Sequence, residues 1–200
     1  PQLFLGQIPA EEFSVFREKL FRFKGFSVEN RSIRHYAYGV GAHVLGDVGE
    51  VSPNDLENDE DDFYNSGDDI GKLGIERSYE KQLRGEKGMQ IMLRDVHGRI
   101  QGRYQDGAYD QAPVPGRNLT LGIDIDLQAL AERLLEGKRG AIVAIEPGTG
   151  EILCMASSPT YDPRSMVGRE RGKSHKRLTN EAGKPLLNRA IMGQYPPGST

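Results

Sequence analysis

The fold is decided by residues 124–156, which read DIDLQALAERLLEGKRGAIVAIEPGTGEILCMA. In the first part of this stretch, across 127–135, leucine and alanine recur at the spacing of one helix face. Asp124 or Asp126 can cap the start of such a helix, and Gly137 follows its end. We therefore predict an amphipathic helix that packs one face against a sheet.

Two apolar runs follow the helix, at residues 141–145 and 152–156, and the turn sequence EPGTGE joins them as a hairpin. Neither run alternates apolar and polar residues, so we expect both faces to be covered, as in a sheet sandwiched between helices. Cys154, the single cysteine of the chain, is then a core residue and has no partner for an intramolecular disulfide.

The sequence changes in character at residues 111–116, QAPVPG. Two prolines and a glycine separate Gly-punctuated sequence before this point from cleaner helix and strand patterns after it. We predict a domain boundary there, with residues 1–116 on one side and residues 117–200 on the other.

Shorter elements are expected around this frame. They are a helix over 11–20 whose Phe13, Phe16 and Leu20 join the core, a strand or extended arm over 31–45, a helical turn after Ser52-Pro53, a helix over 77–84, strands over 89–94 and 118–123, a loop over 157–183, and a helical turn over 186–193.

Charge is distributed unevenly along the chain. Residues 47–69 contain ten carboxylates and no Lys or Arg, while residues 164–189 contain eight Lys or Arg and two Glu. Solvated loops are the favoured interpretation of both runs. A weaker alternative takes the basic run as an ATP or nucleic-acid site, but residues 168–174 miss the P-loop spacing by one residue. We therefore expect no nucleic-acid partner.

Other motif matches are interpreted as coincidences. Ser78 and Lys81 fit Ser-x-x-Lys, residues 52–54 fit Ser-x-Asn, and the acidic residues 59–62 lack the spacing of an EF-hand. The four histidines (His35, His43, His97 and His175) are not at metal-ligand spacing. We expect no metal and no cofactor. No stretch approaches the roughly 20 apolar residues of a membrane helix.

Ser199 is the candidate catalytic residue. Pro196-Pro197-Gly198 forbids a helix running through it and can set up a new one, which places Ser199 at a helix start. Unpaired N–H groups and the helix dipole favour a developing negative charge there. On local sequence alone, however, a structural N-cap is the favoured role of this serine.

The wider context favours the nucleophile. YPPGST at 195–200 resembles the opening of the active-site motif of penicillin-binding proteins, where Pro-Gly-Ser-Thr-Phe-Lys completes Ser-x-x-Lys. Three earlier stretches resemble the family's transpeptidase in the same order: LGIDIDLQ at 121–128, the hairpin region over 141–163, and Asn188-Arg189-Ala190.

The first half of the chain resembles the non-catalytic pedestal of class B members of this family. The stretches that carry this resemblance are AHVLG at 42–46, VGEVS at 48–52, Gly67-Asp68, IGK at 70–72, GIE at 74–76, Tyr79-Glu80 and LRG at 83–85. The resemblance implies an α+β chain in which a pedestal, or dimerisation, domain precedes the first helix and β-hairpin of a transpeptidase α/β sandwich.

The resemblance also implies an activity and a location. Members cross-link peptidoglycan stem peptides in cell-wall elongation through an acyl-serine and are acylated by β-lactams. They work at the bacterial inner membrane, on its periplasmic side, with a membrane glycan polymerase and a rod-shape scaffold protein as partners, and the pedestal suggests a dimer. The lysine of Ser-x-x-Lys and the later motifs lie beyond Thr200, so we expect these 200 residues alone to be inactive. The alternative is a non-catalytic interaction module whose pedestal docks the elongation machinery.

Overall fold

The computed structural model describes Ile8, residues 10–26, Val28 and residues 33–194. Its backbone falls into two compact units. Unit 1 comprises Pro1–Arg77 and Gly122–Thr200, and unit 2 comprises Ser78–Leu121. The domain boundary expected after residue 116 stays a prediction.

Short helices and strands are interspersed along the described residues, and the strands form three antiparallel pairs, β1–β2, β3–β4 and β5–β6. The elements are α1 (Ala10–Arg17), α2 (Ala42–Leu45), β1 (Val48–Glu50), α3 (Pro53–Glu57), β2 (Asp69–Gly71), α4 (Gly74–Ser78), α5 (Glu80–Leu83), β3 (Met92–Arg94), β4 (Ile100–Arg103), α6 (Ile125–Leu134), β5 (Gly140–Ile145), β6 (Ile152–Ser158), α7 (Arg171–Asn180) and α8 (Arg189–Met192). Turns of 3₁₀ helix occur at Leu20–Arg22, Tyr104–Gly107, Pro163–Met166 and Gly168–Glu170.

The helix and hairpin predicted from residues 124–156 are confirmed as α6 and β5–β6. The Asp124 carboxylate caps α6 by accepting hydrogen bonds from the N–H groups of residues 126 and 127. One face of α6 then packs Ala131 and Leu135 against Cys154 and Ala156, which are buried. Cys154 is therefore a core residue, as predicted.

The edge of β6 that does not pair with β5 is covered by the start of α6. The Asp124 N–H donates to the Leu153 carbonyl at 2.8 Å. The fully buried Gln128 side chain accepts from the Met155 N–H at 2.9 Å and donates to the Met155 carbonyl at 3.1 Å. A single amide side chain thus substitutes for part of a third strand, satisfying backbone groups that would otherwise lie unpaired.

The expected covering of both hairpin faces is only partly found. β5 alternates between half-buried and exposed residues, and Val143 and Ile145 are 43% and 56% exposed. The second face is covered near Ser157, where the residues leading into α8 pack. The apolar residues of β5 therefore do not mark a strand buried on both sides within these residues.

A second small core lies beside the hairpin. It is formed by Ala42 of α2, Tyr161, Met166 and Leu178, with Leu186 packed against it. Burial raises the pKa of the Tyr161 phenol to about 12. This cluster joins a segment near the start of the chain to segments near its end.

Four sequence predictions need correction. The loop predicted over 157–183 contains the helix α7, held by Leu178, its one buried residue. Residues 118–123 pair with no strand in the part of the chain that the structure describes. Within 31–45, of which 31–32 lie outside the described residues, there is a helix at α2 and no strand. The helix near residue 11 is present as α1, but it buries no residue, so its apolar positions do not join a core.

Unit 2 has little buried surface. Its chain ends are held by antiparallel bridges between Glu86 and Val114 and between Met89 and Gln111. The strand predicted near 89–94 is present as β3, and all of its residues are exposed. The helix predicted over 77–84 is split between α4 and α5, and Gly85 follows with a positive φ of 70°.

The acidic run is structured at its start. The turn predicted after Ser52-Pro53 is α3, closed by a capping box in which Ser52 and Asp55 satisfy each other's backbone N–H groups. The Lys72 ammonium pairs with the Asp55 carboxylate. Hydrogen bonds from Lys72 and Ser52 lower the pKa of Asp55 to about 2.

Candidate functional site

Ser199, the catalytic candidate, lies outside the described residues, as does the whole YPPGST motif at 195–200. The structure describes the approach to it, through α8 to Gln194. The turn before α8 spans residues 181–188 and is here named the approach turn. Its geometry fixes where α8 begins.

The approach turn is closed by a buried cation. Arg189 is 9% exposed, and its guanidinium donates to the carbonyls of Gly183 at 2.6 Å, Lys184 at 3.2 Å and Leu187 at 3.3 Å. Lys184 takes a positive φ of 51°, which brings its carbonyl into the same ring of acceptors. A planar guanidinium is suited to this task because its N–H groups form a rigid fork.

The end of β6 holds the approach turn from one side. The buried Ser157 hydroxyl donates to the Leu187 carbonyl at 3.1 Å and accepts from the Arg189 N–H at 2.9 Å. The Asn188 side chain then caps α8 by accepting from the Ala190 N–H. The start of α8 is therefore tied to the hairpin through a buried side chain.

His43 of α2 holds the approach turn from another side. Its Nε2–H donates to the Pro185 carbonyl at 2.8 Å, and its Nδ1 lies 3.5 Å from the Thr160 hydroxyl. Burial lowers the pKa of His43 below its ordinary value; the Pro185 hydrogen bond opposes that shift, and the positive charge of Arg189 adds to it. The neutral imidazole, with one donor and one acceptor nitrogen, matches these two neighbours.

The segment that carries His43 is itself anchored by several contacts. The Gly41 N–H donates to the Glu132 carboxylate of α6 at 2.7 Å, and the Tyr161 hydroxyl lies 3.5 Å from the Ala42 carbonyl. Asp47, whose side chain is 2% exposed, forms an ion pair with Arg171 of α7. Residues 41–47 thus contact α6, α7 and the segment after β6.

The Arg171 guanidinium lies over Gly49 of β1, where a Cβ atom would overlap it. The Arg171 Nε also donates to the Asp47 carboxylate at 3.1 Å. The two charge runs, both expected to be solvated loops, therefore meet at this pair, because burial of Asp47 requires a cation beside it. Most other charges of both runs are exposed, as expected.

The other motif matches have structural roles or none. Ser52 caps α3, which accounts for the residue without any chemistry. Ser78 and Lys81 lie in α4 and α5 of the Gly-punctuated first half. Residues 168–174 form a 3₁₀ turn and the start of α7 rather than a phosphate-binding loop after a strand.

Neither a metal site nor a membrane helix is found in the described ranges. No group of three or more His, Cys, Asp or Glu side chains there is arranged to hold a metal ion. No helix within those ranges is both long enough and apolar enough to cross a bilayer.

Sequence reasoning did not identify His43, Asp47, Arg171 or Arg189 as contributors to this region. Arg189 belongs to the Asn188-Arg189-Ala190 motif, but nothing in the neighbouring sequence indicates that its guanidinium binds the carbonyls of the approach turn. Asp47 and Arg171 are 124 residues apart, and each looks like one more charge in a polar run.

Comparison with known families accounts for both halves of the chain. The family model described as the penicillin-binding protein dimerisation domain matches residues 1–121, more than half of the chain. The model described as the penicillin-binding protein transpeptidase domain matches residues 140–200. The chain belongs to the penicillin-binding protein family. The predicted α+β order, a dimerisation domain followed by the start of a transpeptidase domain, is confirmed.

This penicillin-binding protein chain has curated relatives of similar sequence. It is 40% identical over 186 residues to the peptidoglycan D,D-transpeptidase MrdA of Acinetobacter baumannii, covering 92% of the chain and 27% of that relative. It is 37% identical over 201 residues to MrdA of Escherichia coli, covering 98% of the chain and 31% of that relative. The chain spans less than a third of the length of both.

A solved structure has a similar fold. It is the complex between penicillin-binding protein 2 (PBP2) and MreC from Helicobacter pylori, with a TM-score of 0.76 at 31% identity. The match covers 94% of this chain and 36% of that chain. The family resemblance drawn from the motifs is confirmed by all three comparisons.

Proposed function

We propose that this sequence is part of a serine D,D-transpeptidase that cross-links peptidoglycan during cell-wall elongation, with Ser199 as its nucleophile. The observation that carries the proposal is the order of motifs from the α6 region to YPPGST, of which those within residues 140–200 lie in the stretch that matches the transpeptidase family model. Two relatives named peptidoglycan D,D-transpeptidase support the substrate class.

The proposed reaction proceeds through an ester on Ser199. The hydroxyl oxygen attacks the carbonyl carbon of the penultimate D-Ala of a stem peptide, and its proton passes to the lysine amine of the family's Ser-x-x-Lys motif, a position that falls beyond Thr200. The peptide C–N bond breaks, and the terminal D-Ala leaves as its amine takes up a proton. An amine of a neighbouring stem then attacks the ester, which releases the cross-linked product and restores the hydroxyl. A β-lactam acylates the same oxygen.

Fluorescent penicillin labelling tests the proposal. The full-length protein carrying this sequence is expected to be labelled covalently, and Ser199→Ala is expected to abolish the label. Ser78→Ala is the matched control, because Ser78 is the other serine in a Ser-x-x-Lys match, and it should leave labelling unchanged. Persistent labelling of Ser199→Ala would refute Ser199 as the nucleophile. The 200-residue chain alone should not be labelled.

We further propose residues 1–116 as a dimerisation, or pedestal, domain and residues 117–200 as the start of the transpeptidase domain. The proposed location is the periplasmic side of the bacterial inner membrane, with a membrane glycan polymerase and a rod-shape scaffold protein as partners. The solved PBP2–MreC complex of Helicobacter pylori supports a scaffold partner. Cell fractionation and crosslinking of the full-length protein test the location and the partners.

A second candidate function is that of an interaction module, in which the pedestal docks other proteins and this chain contributes no chemistry. The exposed aromatic side chains after α1 favour it, since Phe21 is 78% exposed and Phe26 48% exposed. Its test is binding of a purified scaffold protein to the 200-residue chain. Loss of binding in Phe21→Ser, with no loss in Val96→Ser, a still more exposed apolar residue of unit 2, would support this role.

A further inference from the structure

His43 is partly buried, whereas the other three histidines of the described residues are exposed, and it connects two distant parts of the sequence. Its Nε2–H donates to the Pro185 carbonyl of the approach turn at 2.8 Å. His43 lies in the range matched by the dimerisation-domain model, and Pro185 lies in the range matched by the transpeptidase-domain model. The charge state of this ring can therefore affect how the two ranges are held together.

The immediate neighbours of the His43 ring suit a neutral imidazole. A carbonyl oxygen can only accept, so Nε2 carries the hydrogen, and Nδ1 is left without one, 3.5 Å from the Thr160 hydroxyl. The ring packs edge-on against Tyr161, with centroids 5.5 Å apart. None of these neighbours is charged at neutral pH, since the pKa of the Tyr161 phenol is about 12.

The charged groups around His43 disfavour a second proton on the ring. Burial, reinforced by the positive charge of Arg189, lowers the pKa of His43. The two ionisable side chains of the approach turn, Glu181 and Lys184, are exposed. The carboxylates of the other surrounding elements are engaged elsewhere: Glu132 with the Gly41 N–H, Asp47 with Arg171 and Asp162 with Arg164. An imidazolium at this place gains no counterion from these groups, so it is more stable in water.

We propose that the contact between His43 and the approach turn is acid-sensitive, so that proton uptake by the imidazole releases the Pro185 carbonyl and separates residues 41–47, here named the α2 segment, from the turn. The released ring binds a proton with the ordinary histidine pKa of about 6.5, which is above the pKa of the buried ring. The contact is therefore at full strength above about pH 6.5 and weakens as pH falls below that value. Ser157 and Arg189 hold the approach turn independently of His43, so the turn keeps its shape when the α2 segment leaves.

The test is hydrogen exchange in the full-length protein at about pH 7.5 and about pH 5.5, on either side of the ordinary histidine pKa. The N–H groups of residues 44–46 donate to the carbonyls of Gly41 and Ala42 and report release of the α2 segment. After correction for intrinsic rates, we expect their protection to fall about tenfold between the two pH values, because the released ring alone takes up a proton over this interval. The protection of the α6 amides should change much less.

Variants of two histidines assign the effect to one ring. His43→Gln has no group that titrates in this range, so its protection over residues 44–46 should be the same at both pH values. His43→Met also cannot titrate and takes its place if His43→Gln fails to fold. His175→Gln changes an exposed histidine of α7 and is the matched control, which should keep the tenfold loss.

Three results would overturn the proposal. The first is unchanged protection of residues 44–46 in the unmodified protein, and the second is an equal loss of protection in His43→Gln. The third is an equal loss in α6, which would show a general destabilisation by acid rather than release of the α2 segment.

Discussion

The two hairpins of the chain, β5–β6 in unit 1 and β3–β4 in unit 2, have the same local design and opposite surroundings. Both are antiparallel pairs, and both contain one register irregularity. β6 buries Cys154 and Ala156 against α6, while all of β3 is exposed. An isolated two-stranded hairpin is marginally stable in water. The comparison teaches that packing and edge covering, rather than strand pairing, determine which hairpin resists opening.

The largest expected effect is in hydrogen exchange. We expect the β6 amides to be protected about ten-thousandfold more than the β3 amides after correction for intrinsic rates, a difference of about 5.5 kcal/mol in opening free energy. The reason is that opening β6 exposes a core, whereas opening β3 exposes almost nothing new. Mass spectrometry of peptides from each hairpin measures this difference in protection. Equal protection would show that unit 2 has support from elsewhere.

The next effect concerns the arginines of the two units. Arg171→Met leaves Asp47 as a buried charge without its cation and should lower the free energy of unfolding by about 3–5 kcal/mol. Arg99→Met removes the partner of Asp95 in an exposed turn, where Arg99 is 72% exposed, and should have a much smaller effect. Urea unfolding followed by circular dichroism compares them. Similar losses of stability in the two variants would show that burial of the Asp47–Arg171 pair does not determine its contribution.

A smaller effect is expected for two glutamines. Gln128→Leu removes the side chain that covers the β6 edge at Met155 and should destabilise the protein by about 2–3 kcal/mol. Gln101→Leu in β4, where the exposed amide donates to the Asp95 carboxylate at 3.2 Å, should change stability by no more than about 0.5 kcal/mol. The same urea titrations report both. An unchanged stability in Gln128→Leu would mean that other groups form hydrogen bonds with the β6 edge at Met155.

The smallest effect is the acid sensitivity of unit 1. The pKa of Asp55 is lowered to about 2 in the folded protein, so its ionised form stabilises the fold above the ordinary carboxyl range. That stabilisation should be lost as pH falls from about 4 to about 2. Asp55→Asn should flatten the stability profile in this window, and Glu57→Gln, on the exposed face of α3, should not. Denaturation at a series of pH values tests it.

The sequence predicted what local patterns encode. α6 was predictable because a cap, a helical repeat and a terminal glycine lie within 14 residues, and β5–β6 because a turn separates two apolar runs. α7 was missed because its single buried residue, Leu178, gives no periodicity to detect. The extended stretch at 118–123 has strand-like composition, but no strand among the described residues pairs with it.

The residues of the candidate site also separate into those that local sequence patterns predicted and those that they did not. Ser199 was predicted from a contiguous motif and its resemblance, because the residues that identify it are adjacent in sequence. His43, Asp47 and Arg171 were not, because each acquires its role from a residue more than a hundred positions away. A buried charge and an exposed one look alike in a linear sequence, and only the fold distinguishes them.

The separation of 142 residues between His43 and Pro185 also has a consequence for biosynthesis. At translation rates of about 5–20 residues per second, the α2 segment waits roughly 7–28 s on the ribosome before its partner has been made. Unit 2 lies wholly within that interval and can close first from local bridges. During the delay Ala42 and Asp47 lack the residues that bury them, so the nascent chain passes through a stage in which the α2 segment is available to chaperones.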